Sequence, residues 1–111
     1  ARHGVGFHTH LLEAKTQALV GAAGAEGLVA RLERHGLVGP RSSFAHFVWG
    51  TEEEIELLAA RGASVVHNPG SNLLLGSGIA PVARMRRAGV CVALGTDSGS
   101  GGRASVLEQA R

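Results

Sequence analysis

Apolar positions change period in a regular way along this chain. Four short apolar or alternating runs read as strands: "VGFHTH" (Val5 to His10), "FAHFVW" (Phe44 to Trp49), "ASVVH" (Ala63 to His67) and "VCVALGTD" (Val90 to Asp97). Helical spacing fills the gaps between them. In "LLEAKTQALV", Leu11, Leu12, Leu19 and Val20 fall near one face, and Gly21 and Gly24 interrupt it. In "AEGLVARLERHG", Leu28, Val29 and Leu32 are apolar and Gly36 is the stop. "TEEEIELLAARGA" carries a capping box of Thr51 and Glu54, with Glu52 and Glu53 at the positive end of the helix. Its apolar stripe is Ile55, Leu58 and Ala59, and Gly62 ends it. "IAPVARMRRAG" predicts a further helix, closed by Gly89. "GPRSS" reads as a turn, "NPGSNLLLGSG" as a loop of turn residues, and "SGSGGR" as a glycine-rich loop before a last helix.

A strand followed by a helix, four times over, argues an α/β fold with a parallel sheet. Two architectures fit this order. One is half of a (β/α)8 barrel; the other is a small doubly wound, flavodoxin-like sheet whose histidines are structural. The first residues run into a strand, and the last, "ASVLEQAR", stop inside a helical pattern. The expectation is a partial domain over residues 1–111, incomplete at both ends.

Composition narrows the function classes. The chain is 44% hydrophobic and 18% charged, which is a globular balance. A formal charge of +2, with Lys and Arg scattered among Glu, gives no basic patch, and the absence of Tyr beside one Trp and three Phe gives no base-stacking platform. Nucleic-acid binding is therefore not expected. No apolar run reaches the roughly 20 residues of a membrane span, so no membrane partner is expected. The single cysteine, Cys91, excludes an internal disulfide and fits a reducing, cytoplasmic compartment. Cys91 alternates with Val90 and Val92 and is expected to be buried packing. Six histidines stand out.

Their placement matters more than their number. "GFHTHLLEAK" offers His8-x-His10, two imidazoles on one side of a strand, and His10-x-x-Glu13. His10 ends the first strand, His46 lies inside the second, His67 ends the third and Asp97 follows the fourth. In parallel α/β folds the C-terminal strand ends share one face, and in barrels that face carries the active site. Imidazole nitrogens and a carboxylate are what a Zn²⁺-type ion takes. Each residue alone has an ordinary structural reading: a strand-end histidine in a polar network, an aspartate capping a turn, a glutamate in a first helical turn. Jointly, every strand contributes one at the same end. Spacing leaves both readings open. His3 and His35 read as surface residues.

"HLLEAKTQ", "AHFVW", "VVHNPGSNLLLGSGIAPV" and "VALGTDSG", in that order, resemble the amidohydrolase superfamily. The resemblance is to the branch containing guanine, cytosine and adenosine-type deaminases and the s-triazine hydrolases, and it covers nearly the whole chain. It implies strands five to eight, the C-terminal half, of a metal-dependent (β/α)8 TIM barrel. It implies His10 and Asp97 at one divalent metal, zinc in preference to iron, with His46 either a further ligand of that metal or a contact of the hydrolytic water. It implies Glu13, His46 and Asp97 as catalytic groups and His67 in the substrate pocket; Trp49, at the end of "HFVW", either leans into that pocket or packs in the core. The partner would be a small N-heterocyclic substrate, and the full-length protein a homo-oligomer.

The implied chemistry is coherent. A divalent cation lowers the pKa of bound water toward about 7, giving hydroxide at neutral pH. That hydroxide attacks a ring carbon bearing an amino or other leaving group. Asp97 accepts the proton, and Glu13 protonates a ring nitrogen or the leaving group. His-x-x-Glu favours deamination of a purine, pyrimidine or triazine; dechlorination or dealkylation of a triazine is the alternative on the same scaffold. Two features depart from the family pattern. The family's early His-x-His has no counterpart, because the residues after His8-x-His10 read as those of strand five. The loop after Asp97 is "SGSGGRAS", whose Arg103 could hold an anionic substrate group. Without the early ligand pair, the 111-residue piece is expected to show no turnover, and its open edges to favour association.

Overall fold

The computed structural model describes residues 4–24, 26–98 and 105–110. The elements are β1 (Phe7–Leu11), α1 (Lys15–Ala22), α2 (Leu28–Arg34), β2 (Ser42–His46), α3 (Glu52–Arg61), β3 (Ser64–His67), α4 (Pro69–Leu74), α5 (Val82–Arg87), β4 (Cys91–Leu94) and α6 (Val106–Gln109). The strands form one parallel sheet in the order β1-β2-β3-β4. Each strand thus pairs with the next along the chain. A doubly wound sheet reverses its order at a switch point; this one does not. It has the strand order of a barrel segment.

The two faces of the sheet differ. Leu11, Phe44 and Val65 are buried on one face, against Val29 of α2, Ile55 and Leu58 of α3 and Met85 of α5. On the other face His8, His10, Cys91 and Ala93 are exposed. Strand side chains alternate, so one face takes the helical layer and its core while the other stays open. The burial expected of Cys91 is corrected by this: it is exposed, on the last strand of the sheet.

Helix α3 forms as its sequence dictates. Glu54 N donates to Thr51 Oγ1 at 3.3 Å, and Thr51 N donates to Glu54 Oε2 at 3.1 Å. Gly62 closes the helix at φ 68°, a left-handed angle that suits glycine. Two expectations shift. "FAHFVW" is not a strand to its end: pairing runs from Ser42 to His46 and stops. His46 and Phe47 have φ of 73° and 49°, so the chain leaves the extended region there, and Phe47 N turns back to Leu11 O at 3.0 Å. His46 therefore stands at the strand's C-terminal end, not inside it. "NPGSNLLLGSG" is not all loop, because Pro69 at the first helical position starts the short helix α4.

Non-glycine residues with positive φ are Leu12, His46, Phe47 and Asp97 among those described. All sit at or just past the C-terminal ends of strands. Such angles cost roughly 1–3 kcal/mol each and persist only where packing enforces them. Phe47 is wholly buried, and its ring fills the space a Cβ on Gly50 would need. Gly50→Ala is expected to lower the stability of the full-length protein by about 1–3 kcal/mol, the usual cost of overpacking a core. Urea denaturation against wild type measures it; an unchanged midpoint would contradict the packing described.

Candidate metal and catalytic centre

The parallel register brings the strand ends level. His10 on β1 pairs with Ala45, next to His46, and the two imidazoles meet edge to face with ring centroids 4.6 Å apart. Glu13 follows β1 by two residues, and Asp97 follows β4 by three. Their carboxylates converge on the same imidazoles. Glu13 Oε2 lies 3.6 Å from His10 Nδ1 and 3.8 Å from His46 Nε2. Asp97 Oδ1 lies 3.9 Å from His10 Nε2, and Asp97 Oδ2 lies 4.0 Å from His46 Nε2. His10 thus stands between the carboxylates with one ring nitrogen toward each. His10 is half exposed, Glu13 and Asp97 are mostly covered, and His46 is fully buried.

His46 has a defined tautomer. Its Nδ1 lies 2.8 Å from Asn72 Oδ1, an amide oxygen that can only accept, so Nδ1 carries the hydrogen. Nε2 then presents a lone pair. It is buried, has no hydrogen-bond partner among the described residues, and faces two carboxylates. A buried lone pair ringed by acceptors is costly unless a cation, either a proton or a metal ion, lies between them. The separations of 3.6 to 4.0 Å exceed hydrogen-bond length. Two ligands of one tetrahedral ion, each bound at about 2.0–2.1 Å, lie roughly 3.4 Å apart, so the gap is close to the size of an ion site. His10, Glu13 and His46 offer ligand atoms all within 4.8 Å of one another. Nitrogen and carboxylate donors of this kind suit zinc. The residues present fit a divalent cation.

Asp97 is held in its charged form. Its carboxyl titrates below the usual range, first because Ser71 Oγ donates to Oδ2 at 2.5 Å, with the adjacent His46 and His10 imidazoles and the amide of Ser98 adding to this and burial opposing. His67 behaves oppositely. Burial, and after it the neighbouring His46, lowers its pKa and favours the neutral ring.

The sequence pattern predicts His10, His46, His67 and Asp97 at one mouth with Glu13 over it, and the structure brings His10, Glu13, His46 and Asp97 together. His67 and Trp49 line other cavities. His67 ends β3 as expected but lines a separate cavity along β4 with Arg86 and Cys91. Trp49 lines another cavity, between α1, α2 and α3, and its Nε1 donates to Ser77 O at 2.8 Å. Arg103 lies outside the described residues. His8 shares an open cavity of about 390 Å³ with His10, Asn68, Gly95 and Asp97, and its Nδ1 lies 2.7 Å from Ser43 Oγ. Ser71 and Asn72, 5% and 1% exposed, are not singled out by the sequence, where "NPGSN" reads as turn residues. A cluster of small polar residues beside a strand-end histidine is the signal that could have found them.

The amidohydrolase family profile matches residues 1–111. The chain belongs to the amidohydrolase family. The members it resembles are built on a TIM barrel, and the parallel sheet described above is consistent with a part of one. The chain is 51% identical over 86 residues to a "Probable guanine deaminase" of Deinococcus radiodurans, an alignment covering 78% of this chain and 20% of that protein. It superposes on a zinc-bound adenosine deaminase from Xanthomonas campestris with a TM-score of 0.84 and 38% identity, over 94% of this chain and 24% of that one. It also superposes on the zinc complex of atrazine chlorohydrolase TrzN from Arthrobacter aurescens, with a TM-score of 0.80 and 29% identity, over 90% and 22%. This amidohydrolase chain thus spans about a fifth of the length of the guanine deaminase it matches.

In this amidohydrolase chain Gly95, two residues before Asp97, has no room for a side chain. A Cβ there would run into the Asn68 amide oxygen and come within 2.6 Å of Val66 Cγ1. Gly95→Ala is expected to displace the turn that carries Asp97 and to destabilise by about 1–3 kcal/mol. Thermal unfolding of the full-length protein checks it; wild-type stability in the variant would contradict this packing.

Proposed function

We propose that the protein to which this chain belongs is a metal-dependent aminohydrolase acting on a purine, pyrimidine or triazine-like ring. In this reading residues 1–111 are part of one barrel domain, and β1 to β4 are its fifth to eighth strands. The observation that carries the proposal is the lone pair of buried His46 Nε2, aimed between the carboxylates of Glu13 and Asp97 beside His10. The deaminase named among the curated relatives and the zinc named in two solved relatives support it.

His10, His46 and Asp97 would hold the ion, and ligands from the remainder of the barrel would complete its shell. A bound divalent cation would supply a water acidified to a pKa of about 7. The side chains do the rest. Asp97, kept ionised by Ser71, takes the proton of the attacking water as oxygen adds to the ring carbon. Glu13 protonates the adjacent ring nitrogen, which would otherwise carry the negative charge of the adduct. Asp97 then returns its proton to the departing amine, the C–N bond breaks, the adduct hydroxyl gives its proton back to the Glu13 carboxylate, and ammonia leaves as the ring carbonyl forms. His67, Trp49 and Arg103 would contact the substrate. Zinc is the expected metal.

Full-length protein purified without chelators is expected to hold stoichiometric zinc and to release ammonia from at least one of guanine, cytosine, an adenosine-type nucleoside or melamine. Absence of bound metal would sink the proposal. Chloride or alkylamine release from triazines, with no ammonia from any of the four, would assign the dechlorinating or dealkylating reaction instead. Glu13→Gln is expected to keep the zinc and lower kcat by roughly 10²–10⁴-fold, the usual worth of a general acid. A variant within threefold of wild type would remove Glu13 from the proton path.

A further inference from the structure

The two groups that hold His46 and Asp97 are neighbours in sequence. Asn72 Oδ1 accepts from His46 Nδ1 at 2.8 Å, and Ser71 Oγ donates to Asp97 Oδ2 at 2.5 Å. Both belong to α4, and both are buried. His46 comes from β2 and Asp97 from beyond β4, so one short helix reaches both sides of the centre.

The helix is tied at each end. Gly70 N donates to Gln109 Oε1 of α6 at 2.8 Å, so the start of α4 is anchored. Ser77 N bonds back to Asn72 O at 2.9 Å, and Ser77 O accepts from Trp49 Nε1 at 2.8 Å, so the loop after α4 is anchored too. Between these ties Ser71 and Asn72 have little freedom to turn away. That rigidity is what a supporting group needs if it is to fix the orientation of another side chain.

We propose that Asn72 and Ser71 are positioning residues of the centre, Asn72 acting through the His46 tautomer and Ser71 through the orientation of Asp97. The inference rests on the metal-dependent aminohydrolase reading. An acceptor on Nδ1 keeps the lone pair of His46 on Nε2, the nitrogen that faces the carboxylates. Without it the hydrogen can move to Nε2 and block that position. The Ser71 hydroxyl satisfies one lone-pair direction of Asp97 Oδ2 and leaves the rest of the carboxylate directed at His10 and His46. Neither residue needs to touch substrate.

Zinc affinity, measured on the full-length protein by competition with a chelator of known affinity, tests this independently of turnover. Asn72→Leu is expected to weaken zinc by about 10- to 100-fold, the usual effect of removing such a partner, while Asn72→Asp, which keeps an acceptor oxygen, stays within about threefold of wild type. Ser71→Ala is expected to weaken zinc by about 10-fold and Ser71→Thr, which keeps the hydroxyl, to restore most of it. Should Asn72→Leu fail to fold, the Ser71 pair and Asn72→Asp still decide. Wild-type zinc affinity in both Asn72→Leu and Ser71→Ala would overturn the inference and leave the aminohydrolase reading standing. Asn72→Asp as weak as Asn72→Leu would overturn the role of Asn72 as acceptor. A wild-type protein that binds no zinc would fell the functional reading first, and this inference with it.

Discussion

His46 is wholly buried, and an imidazole can be buried only if both of its nitrogens are accounted for. One is met by the Asn72 amide oxygen at 2.8 Å. The other faces two carboxylates across gaps of 3.8 and 4.0 Å, where a positive charge belongs. Other features depend on this arrangement. Glu13 and Asp97 must approach from opposite strands, which the parallel register permits only at the C-terminal ends. His10 must stand between them, which its place on β1 next to the Leu11–His46 pair provides.

The backbone strain lies where those demands meet. Extended strands carry their side chains to one face or the other, and a strand continued past His46 would carry the chain away from the centre. The left-handed turn at His46 and Phe47 instead seats the imidazole over the strand ends while burying the phenyl ring below. Asp97 makes a comparable turn after β4. The core keeps these angles in place: Phe47 fills the space beside Gly50, and the Asn68 side chain fills the space beside Gly95. Packing energy is thus converted into the placement of polar groups.

Much of this is legible in the sequence. Alternating strand and helix patterns set the α/β class, and His or Asp at strand ends points to His10, His46 and Asp97; it points equally to His67, which lines a separate cavity, and Glu13 follows only from its spacing after His10. The capping box at Thr51 and Glu54 is a local rule, and the structure forms it as the sequence spells it. The end of β2 is not legible, because "FAHFVW" is apolar throughout and only tertiary packing turns it at His46. The role of "NPGSN" is also hidden. Turn-forming residues and buried hydrogen-bonding residues are the same types, and only the fold distinguishes them. Cys91 is misplaced by the sequence for a related reason: alternation says which face a residue takes, not whether anything lies over that face.

The strand order β1-β2-β3-β4 has a consequence for how such a protein is put together. Each strand–helix unit finds its partner in the next unit along the chain, and no pairing skips a neighbour. The instructions for assembly are therefore local and repeat, as in solenoids whose repeats touch only those on either side. A sheet built this way can grow by addition of units at its two outer strands without rearranging those already in place.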